Sequence, residues 1–538
     1  MPHFGRINLI LLLLSLCGAV IVGRLFYLQI VKGDFYKALA QGLYSTETQI
    51  IGERGEIFFK NGEPLAVNID WSLVFASPIE VKEKEVAASE LAEILSLDKD
   101  FVLGKLEKDN LYEPIKKKIT NEEVQKIKEI NLSGIYLGKE TGRYYPQETL
   151  ASQLVGFLDV NLQGQYGIEG YYNDVLQGRR NQRGQDIFLT VDYSIQFRAE
   201  KLLEQAKENL AIEGGEIIVM NPNSGEILAL ANFPNFNPNQ YSTVSDFKIF
   251  RNGATQKIFE PGSIFKPITM AGALEEQKIT PQTTYLDKGK VVIGGWTISN
   301  YDNRIHGEQT MTNVLERSIN TGAVFAEEKL GHDSFLNYLD KFGFFRLSGV
   351  DLPEIYSENR EFKKGYEINF ATASFGQGIE ITPIQLIRAF GAIANGGELV
   401  RPFITKKVGE EDKSSSSPFV AARVIEPKTA AQLTAMLVSV TENGFAKSAR
   451  VPGYYVAGKT GTSQISFSAL EEEERGYSDK TWQSFIGFAP AFNPEFIILV
   501  KLNNPKTRTA EYSAVPIFQD LAKFIVDYYQ IPPDQNGQ

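Results

Sequence analysis

The chain is poor in the residues that bind metals and form crosslinks. Cys17 is its one cysteine, so no disulfide can form within the chain. Its three histidines, His3, His306 and His332, are scattered, and none stands in a ligand spacing such as H-E-x-x-H. No metal is expected, and no other cofactor. Long low-complexity segments are missing too. So is a basic excess: the net charge is −11, spread along the sequence. That balance favours solubility and argues against a nucleic-acid surface. At 538 residues the chain exceeds one ordinary core, and two or three domains are expected.

What is present first is a long uncharged run, Ile7 to Gly23, which RLFYLQI extends to Ile30. With Arg24 able to snorkel, the run is long enough to span a bilayer. A cleaved signal peptide would have a shorter apolar core and a small-residue cleavage site, and no A-x-A is seen. A lipoprotein signal ending at Cys17 is a poor fit, because bulky Leu16 precedes it and the apolar run continues beyond it. An uncleaved anchor over 7–30 is the preferred reading, with residues 1–6 as a short tail. Flanking charge leaves the orientation open, with Arg6 on one side and Arg24, Lys32 and Lys37 on the other.

Beyond the anchor, 31–185 reads as a mixed scaffold or docking domain. Two strands are expected around Lys60-Asn61-Gly62. Helices are expected from Glu83 to Leu95, from Asn121 with Asn121 as its cap, and through GIEGYYNDVLQG to the stop at Gly178. From Asp186 to about 530 the pattern is that of an α+β enzyme. A helix over VDYSIQFRAEKLLEQAKENL precedes two apolar strands around Asn223-Ser224-Gly225. Three further strands are expected at Tyr455–Gly458, Gln483–Ala489 and Phe496–Leu502, then a helix over Val515–Tyr529. Strands at both ends of the domain suggest one antiparallel sheet flanked by helices. Asp412-Lys413 and the serines after them read as a flexible loop, Leu470–Lys480 as a solvated acidic insertion, and 531–538 as a disordered tail.

EPGSIFKP, Glu260 to Pro267, is the first stretch that could carry chemistry. Pro261-Gly262 marks a turn, and Ser263 can cap the helix it opens. Ser263 and Lys266 are three apart and so share a helix face. A serine needs an adjacent base to be a nucleophile, and a lysine serves if burial and cations lower its pKa. Alone, the tetrad reads as a capped surface helix. Two later stretches add a hydroxyl with an amide, Ser318-Ile319-Asn320, and Lys459-Thr460-Gly461-Thr462 at the end of an expected strand. Each alone reads as a cap or a turn.

Together and in this order, S-x-x-K, S-x-N and K-T-G resemble the signature of penicillin-binding proteins and serine β-lactamases. Arg54-Gly55-Glu56-Ile57, Asn61-Gly62 and Leu65-Ala66 resemble the R-G-x-I-x-D-R-N-G-x-x-L-A box of class B penicillin-binding proteins. Phe59 stands where that family usually has Asp, and Lys60 where it has Arg. RYYP at Arg143, LTVD at Leu189, SFGQGIEITPIQL at Ser374 and SFIGFAP at Ser484 are similar to family segments as well. EPGSxFKP and SFGQGI lean towards the division type rather than the elongation type.

The resemblance implies a transpeptidase domain on an elongated pedestal of the dimerisation type. It implies that Ser263 attacks the penultimate D-alanine carbonyl of a peptidoglycan stem peptide while Lys266 takes its proton. Ser318 would relay a proton to the leaving D-alanine, with Lys459 holding charge beside it. Asn320 would orient the peptide and Lys266, and Thr460, Gly461 and Thr462 would bind substrate. β-Lactams would acylate the same serine. It further implies an extracytoplasmic catalytic domain and a polytopic lipid II glycosyltransferase as partner of the anchor and pedestal. A β-lactamase, a D,D-carboxypeptidase and a β-lactam sensor share the motifs. Against them stand the lack of an obvious deacylating glutamate, the pedestal, and the few residues ahead of the anchor. Phe375, Gly376 and Gln377 are expected to support the site. Trp296 and Tyr301 are candidates for lining a cleft or for packing.

Overall fold

The computed structural model describes residues 3–33, 36–37, 52–178, 182–301, 303–413 and 419–535. The uncharged N-terminal run forms α1 (His3–Phe26), continued by a π-helical turn over Tyr27–Val31. Leu11–Ile30 is long and apolar enough to cross a membrane, with mean hydropathy 2.2 and none of it buried within the protein.

The chain packs into two units, and they do not follow chain order. The smaller holds residues 1–53, 68–144 and 178–182; the larger holds 54–67, 145–177 and 183–538. The boundary expected near 185 is one of chain order, and the packed units interleave across it. The cause is apolar burial: Ile57, Phe59, Leu65, Leu154, Phe157, Ile168 and Leu176 belong to the core of the larger unit.

β1 (Ile57–Phe58) turns at Lys60–Gly62 and returns as β2 (Pro64–Ala76), with Ile57 opposite Ala66. The start of the expected first strand, 47–51, lies outside the described residues. Within the smaller unit follow α2 (Lys84–Leu95), α3 (Lys99–Leu106), β3 (Glu113–Ile119), α4 (Asn121–Ile130) and β4 (Ile135–Tyr144). β3 and β4 both pair with β2. Val74, Leu91, Leu95, Val102, Leu106 and Ile127 form this unit's own core. The cap of α4 is Thr120, not Asn121. Its hydroxyl accepts the Glu123 N–H while Glu123 accepts the Thr120 N–H at 2.6 Å, a reciprocal pair that Asn121 has no partner to build.

In the larger unit the helix expected through GIEGYYNDVLQG is two short ones, Gly167–Tyr171 and Asn173–Leu176, broken at Tyr172 (φ −103°). β5 (Ile187–Leu189) runs parallel to β1. α5 (Tyr193–Leu210) is capped by Asp192 and leads into the hairpin of β6 (Gly214–Met220) and β7 (Ile227–Phe233). Then come α6 (Lys266–Glu275), α7 (Asn320–Leu330), α8 (Pro383–Ala394) and α9 (Pro427–Glu442). The chain closes with β8 (Ala457–Ser466), β9 (Tyr477–Ala489), β10 (Phe496–Asn503) and α10 (Ala514–Tyr528). The sheet order is β8-β9-β10-β6-β7, every neighbour antiparallel, so both ends of the domain build one sheet as expected. α5 and α10 pack on this sheet and on each other; α8 and α9 do the same, and α6 packs on α9.

Three local expectations meet a different outcome. β8 runs past Gly458, so Lys459 to Thr462 sit inside a strand rather than at its end. Residues 471–476 are exposed as a solvated insertion should be, but Tyr477 to Lys480 already belong to β9. Ile531 to Gln535 are held rather than disordered: Tyr454 donates to Ile531 O, and the Asp534 and Gln535 N–H groups donate to Gly453 O. Residues 414–418 of the expected serine loop, and 536–538 of the tail, lie outside the described residues.

Candidate active site

Ser263 does not cap a helix. Gly262–Phe265 form a 3-10 turn that runs straight into α6, and no side chain caps either. Pro267 falls in the first turn of α6, where its missing N–H costs nothing. The tight turn keeps Ser263 and Lys266 side by side, with Lys266 Nζ 2.9 Å from Ser263 Oγ. Gly262 sits at φ +62°, and a Cβ there would fall 2.9 Å from the Ser463 Cβ. That position needs glycine both for its backbone and for the approach of β8.

The second motif enters from the turn before α7. Ser318 is in the left-handed region at φ +54°, a conformation costly for a residue with a side chain. It presents both of its oxygens to the first motif: Lys266 Nζ lies 2.6 Å from Ser318 O and 3.1 Å from Ser318 Oγ. Asn320 Oδ1 accepts from the same nitrogen at 2.8 Å, while its amide donates to Ser299 O at 3.0 Å. The third motif comes along β8. Lys459 Nζ donates to Ser318 Oγ at 3.0 Å and contacts Thr460 O at 3.1 Å. At Gly461 a Cβ would meet Ser484 Oγ at 2.8 Å and Ile264 Cγ2 at 2.9 Å, so only glycine lets the strand lie against the Ser263 turn.

Both lysines are buried, Lys266 at 0% and Lys459 at 1% exposure. Burial, and then the neighbouring charge of Lys459, holds the Lys266 pKa well below its usual range. Burial pulls Lys459 down to about 7. The motifs open onto a cleft of about 630 Å³ lined by Ser263, Ser318, Asn320, Thr460, Thr462 and Gln464. Phe375 and Gln377 line it too, and Gly376 O accepts the Gly262 N–H at 2.9 Å. Of the two aromatic candidates, Tyr301 lines the cleft, and Trp296 is 68% exposed and does not. Sequence reasoning missed Phe445, Arg508 and Tyr512, which complete the wall from loops after α9 and β10. No local motif marks them, because only the fold brings those loops to the cleft.

Comparison with known proteins agrees with this layout. Residues 215–523 match the penicillin-binding protein transpeptidase domain, and 49–187 the penicillin-binding protein dimerisation domain. The chain therefore belongs to the penicillin-binding proteins, as one of the class B type in which a dimerisation domain precedes the transpeptidase domain, and it is an enzyme of that transpeptidase class. Stage V sporulation protein D of Bacillus subtilis is 32% identical across 99% of this chain and 87% of that protein. The probable peptidoglycan D,D-transpeptidase PbpC of Pseudomonas aeruginosa is 31% identical across 98% of this chain and 96% of that protein. Penicillin-binding protein 3 of Mycobacterium tuberculosis, solved with aztreonam, shares 26% identity over 90% of this chain and 98% of its own, with a TM-score of 0.70.

Proposed function

We propose that this chain crosslinks peptidoglycan through an acyl-enzyme on Ser263. The observation that carries the reading is the set of four oxygens around Lys266 Nζ. A neutral amine has two N–H bonds, and Ser318 O and Asn320 Oδ1 are its closest acceptors. Its lone pair is then left for the Ser263 hydroxyl proton.

In the first step Ser263 Oγ bonds to the carbonyl carbon of the penultimate D-alanine, and its proton passes to Lys266. The C–N bond to the terminal D-alanine breaks, and Ser318 relays a proton to the leaving nitrogen beside Lys459. The N–H groups of Ser263 and Thr462 receive the developing oxyanion. Thr460 and Thr462 bind the terminal carboxylate, with Gly461 allowing the strand's approach. In the second step an amine of a neighbouring stem peptide attacks the ester, forms the amide crosslink and returns Ser263 Oγ, which regains a proton. The amide bond energy is kept in the ester, so no ATP is spent, which suits a site outside the cytoplasm. β-Lactams acylate the same serine.

In this reading 7–30 anchors the protein as a single pass, and 31–185 is the pedestal. The catalytic domain over 186–530 stands outside the membrane. Anchor and pedestal dock a polytopic lipid II glycosyltransferase. A division-type role is favoured over elongation by EPGSxFKP and SFGQGI. Mass spectrometry of the penicillin adduct with peptide mapping tests the core of the proposal: the adduct is expected on Ser263, and an adduct elsewhere overturns it. Depletion in the cell separates the roles, with filaments expected for division and rounding for elongation.

A further inference from the structure

The carboxyl group at the head of the tetrad has no part in the acyl transfer, yet it is nearly buried, at 8% exposure. Glu260 accepts from the Gly378 N–H at 3.1 Å and from the Tyr477 hydroxyl, 2.8 Å from Oε2 and 3.1 Å from Oε1. Its backbone carbonyl accepts from Ser463 Oγ at 2.8 Å. This one residue joins three segments that wall the cleft. They are the nucleophile turn, the 374–378 turn that carries Phe375 and Gln377, and the β8–β9 hairpin that carries Thr462 and Gln464. The titratable groups facing it are Tyr477 from β9 and Glu380 beyond the turn, and no cation offsets its charge among the described residues.

We infer, resting on the reading of Ser263 as nucleophile, that Glu260 is a positioning residue. Its carboxylate clamps the Ser263 turn to Gly378 and to Tyr477 at the loop end of the β8–β9 hairpin, holding Ser263 and Thr462 in register for acylation. The clamp is tightest in the ionised form, because the Gly378 N–H and the Tyr477 hydroxyl both donate to Oε2 and bonds to a charged oxygen are roughly twice as strong as neutral ones. Once Oε1 is protonated, the same two donors meet a neutral carbonyl oxygen and both bonds weaken. Burial, with a smaller push from Glu380 and against the bonds from Gly378 and Tyr477, brings the Glu260 pKa up to about 7. The clamp therefore tightens as pH rises through neutrality. Burial, and then the charge of Glu260, keeps the Tyr477 phenol protonated and donating.

The test uses the full-length protein and a fluorescent penicillin, with second-order acylation rates read between about pH 6 and about pH 8, the range that brackets a neutral-range titration. Glu260→Gln keeps the shape but removes the titration. Both proteins share Lys266 and Lys459, so lysine titration largely cancels in the ratio of wild-type to variant rate. That ratio is expected to grow by about threefold to tenfold across the range, the scale of one net hydrogen bond. Tyr477→Phe, which deletes only a hydroxyl, is expected to slow acylation by a similar factor at the alkaline end. A ratio that stays flat with pH overturns the proposal, and so does Tyr477→Phe reacting at the wild-type rate. Should Glu260→Gln fail to fold, Tyr477→Phe decides alone. Mapping the adduct to Ser263 in the wild type separates a failed clamp from a failed nucleophile assignment.

Discussion

Two buried lysines within reach of one serine hydroxyl are the central fact at the scale of single residues. An ordinary lysine titrates near 10.4 and is almost never a free base at neutral pH. Here burial disfavours both charges, and the charge of Lys459 makes that of Lys266 harder still to keep. The acylation rate should therefore rise from the acid side as Lys266 loses its proton, and level off well below the usual lysine range. Lys459→Ala removes a positive neighbour, so the Lys266 pKa rises and this limb should move to higher pH. A stopped-flow profile with a fluorescent penicillin reads the shift, and a limb that stays in place would show that the two charges do not communicate. Ser263→Ala should lose labelling altogether while melting like the wild type. Lys266→Ala should lose acylation by about a hundredfold or more, the usual scale for a general base.

At the scale of elements, the site depends on how closely β8 lies against the Ser263 turn. Gly461→Ala puts a methyl group within 3.0 Å of Ser484 Oγ, Ile264 Cγ2 and Pro261 O. The strand must then move away, at a cost of about 1–3 kcal/mol for overpacking. A displacement on that scale should slow acylation by about a hundredfold, a larger effect than the loss of stability, because acyl transfer tolerates little misplacement. Rate and melting measurements on one preparation distinguish the two. The turn after β1 is a second case. Phe59 is fully buried and meets Tyr193 edge-on at 5.5 Å. Phe59→Ala should cost about 3–5 kcal/mol in denaturant unfolding, the usual range for a buried aromatic. Lys60 pairs with Glu226 at 3.3 Å and so keeps a cation at its position.

For the whole molecule, the division into units changes what a truncation means. Residues 54–67 and 145–177 lie in the larger unit, and their apolar side chains are part of its core. Cutting the chain at Gly178 should leave an aggregating fragment. Asn68 and Arg143 are hydrogen-bonded side chain to side chain at 3.3 Å, so the ends of the intervening segment lie close together. Replacing Asn68–Tyr144 with a short Gly/Ser linker should therefore keep acylation near the wild-type rate. Loss of a glycosyltransferase partner in co-purification from that variant would place docking on the smaller unit, and an unchanged yield would exclude it.

By itself the sequence determined the three motifs and their order along the chain. Ser263-Lys266, Ser318-Asn320 and Lys459-Thr462 were legible because each is a fixed local spacing of side chains. The long apolar helix and the antiparallel sheet were legible because apolar runs and strand patterns are local as well. The tertiary structure alone decided what depends on distant segments meeting. Ser263 faces a lysine rather than capping a helix, because Ser318 and Asn320 arrive to hold that lysine. Lys459 lies within a strand, because β9 pairs with β8 well beyond the apolar stretch that announced it. Glu260 is a buried carboxyl only because Gly378 and Tyr477, more than a hundred residues away, close over it. Burial and long-range contact set pKa and register, and no local spacing carries either.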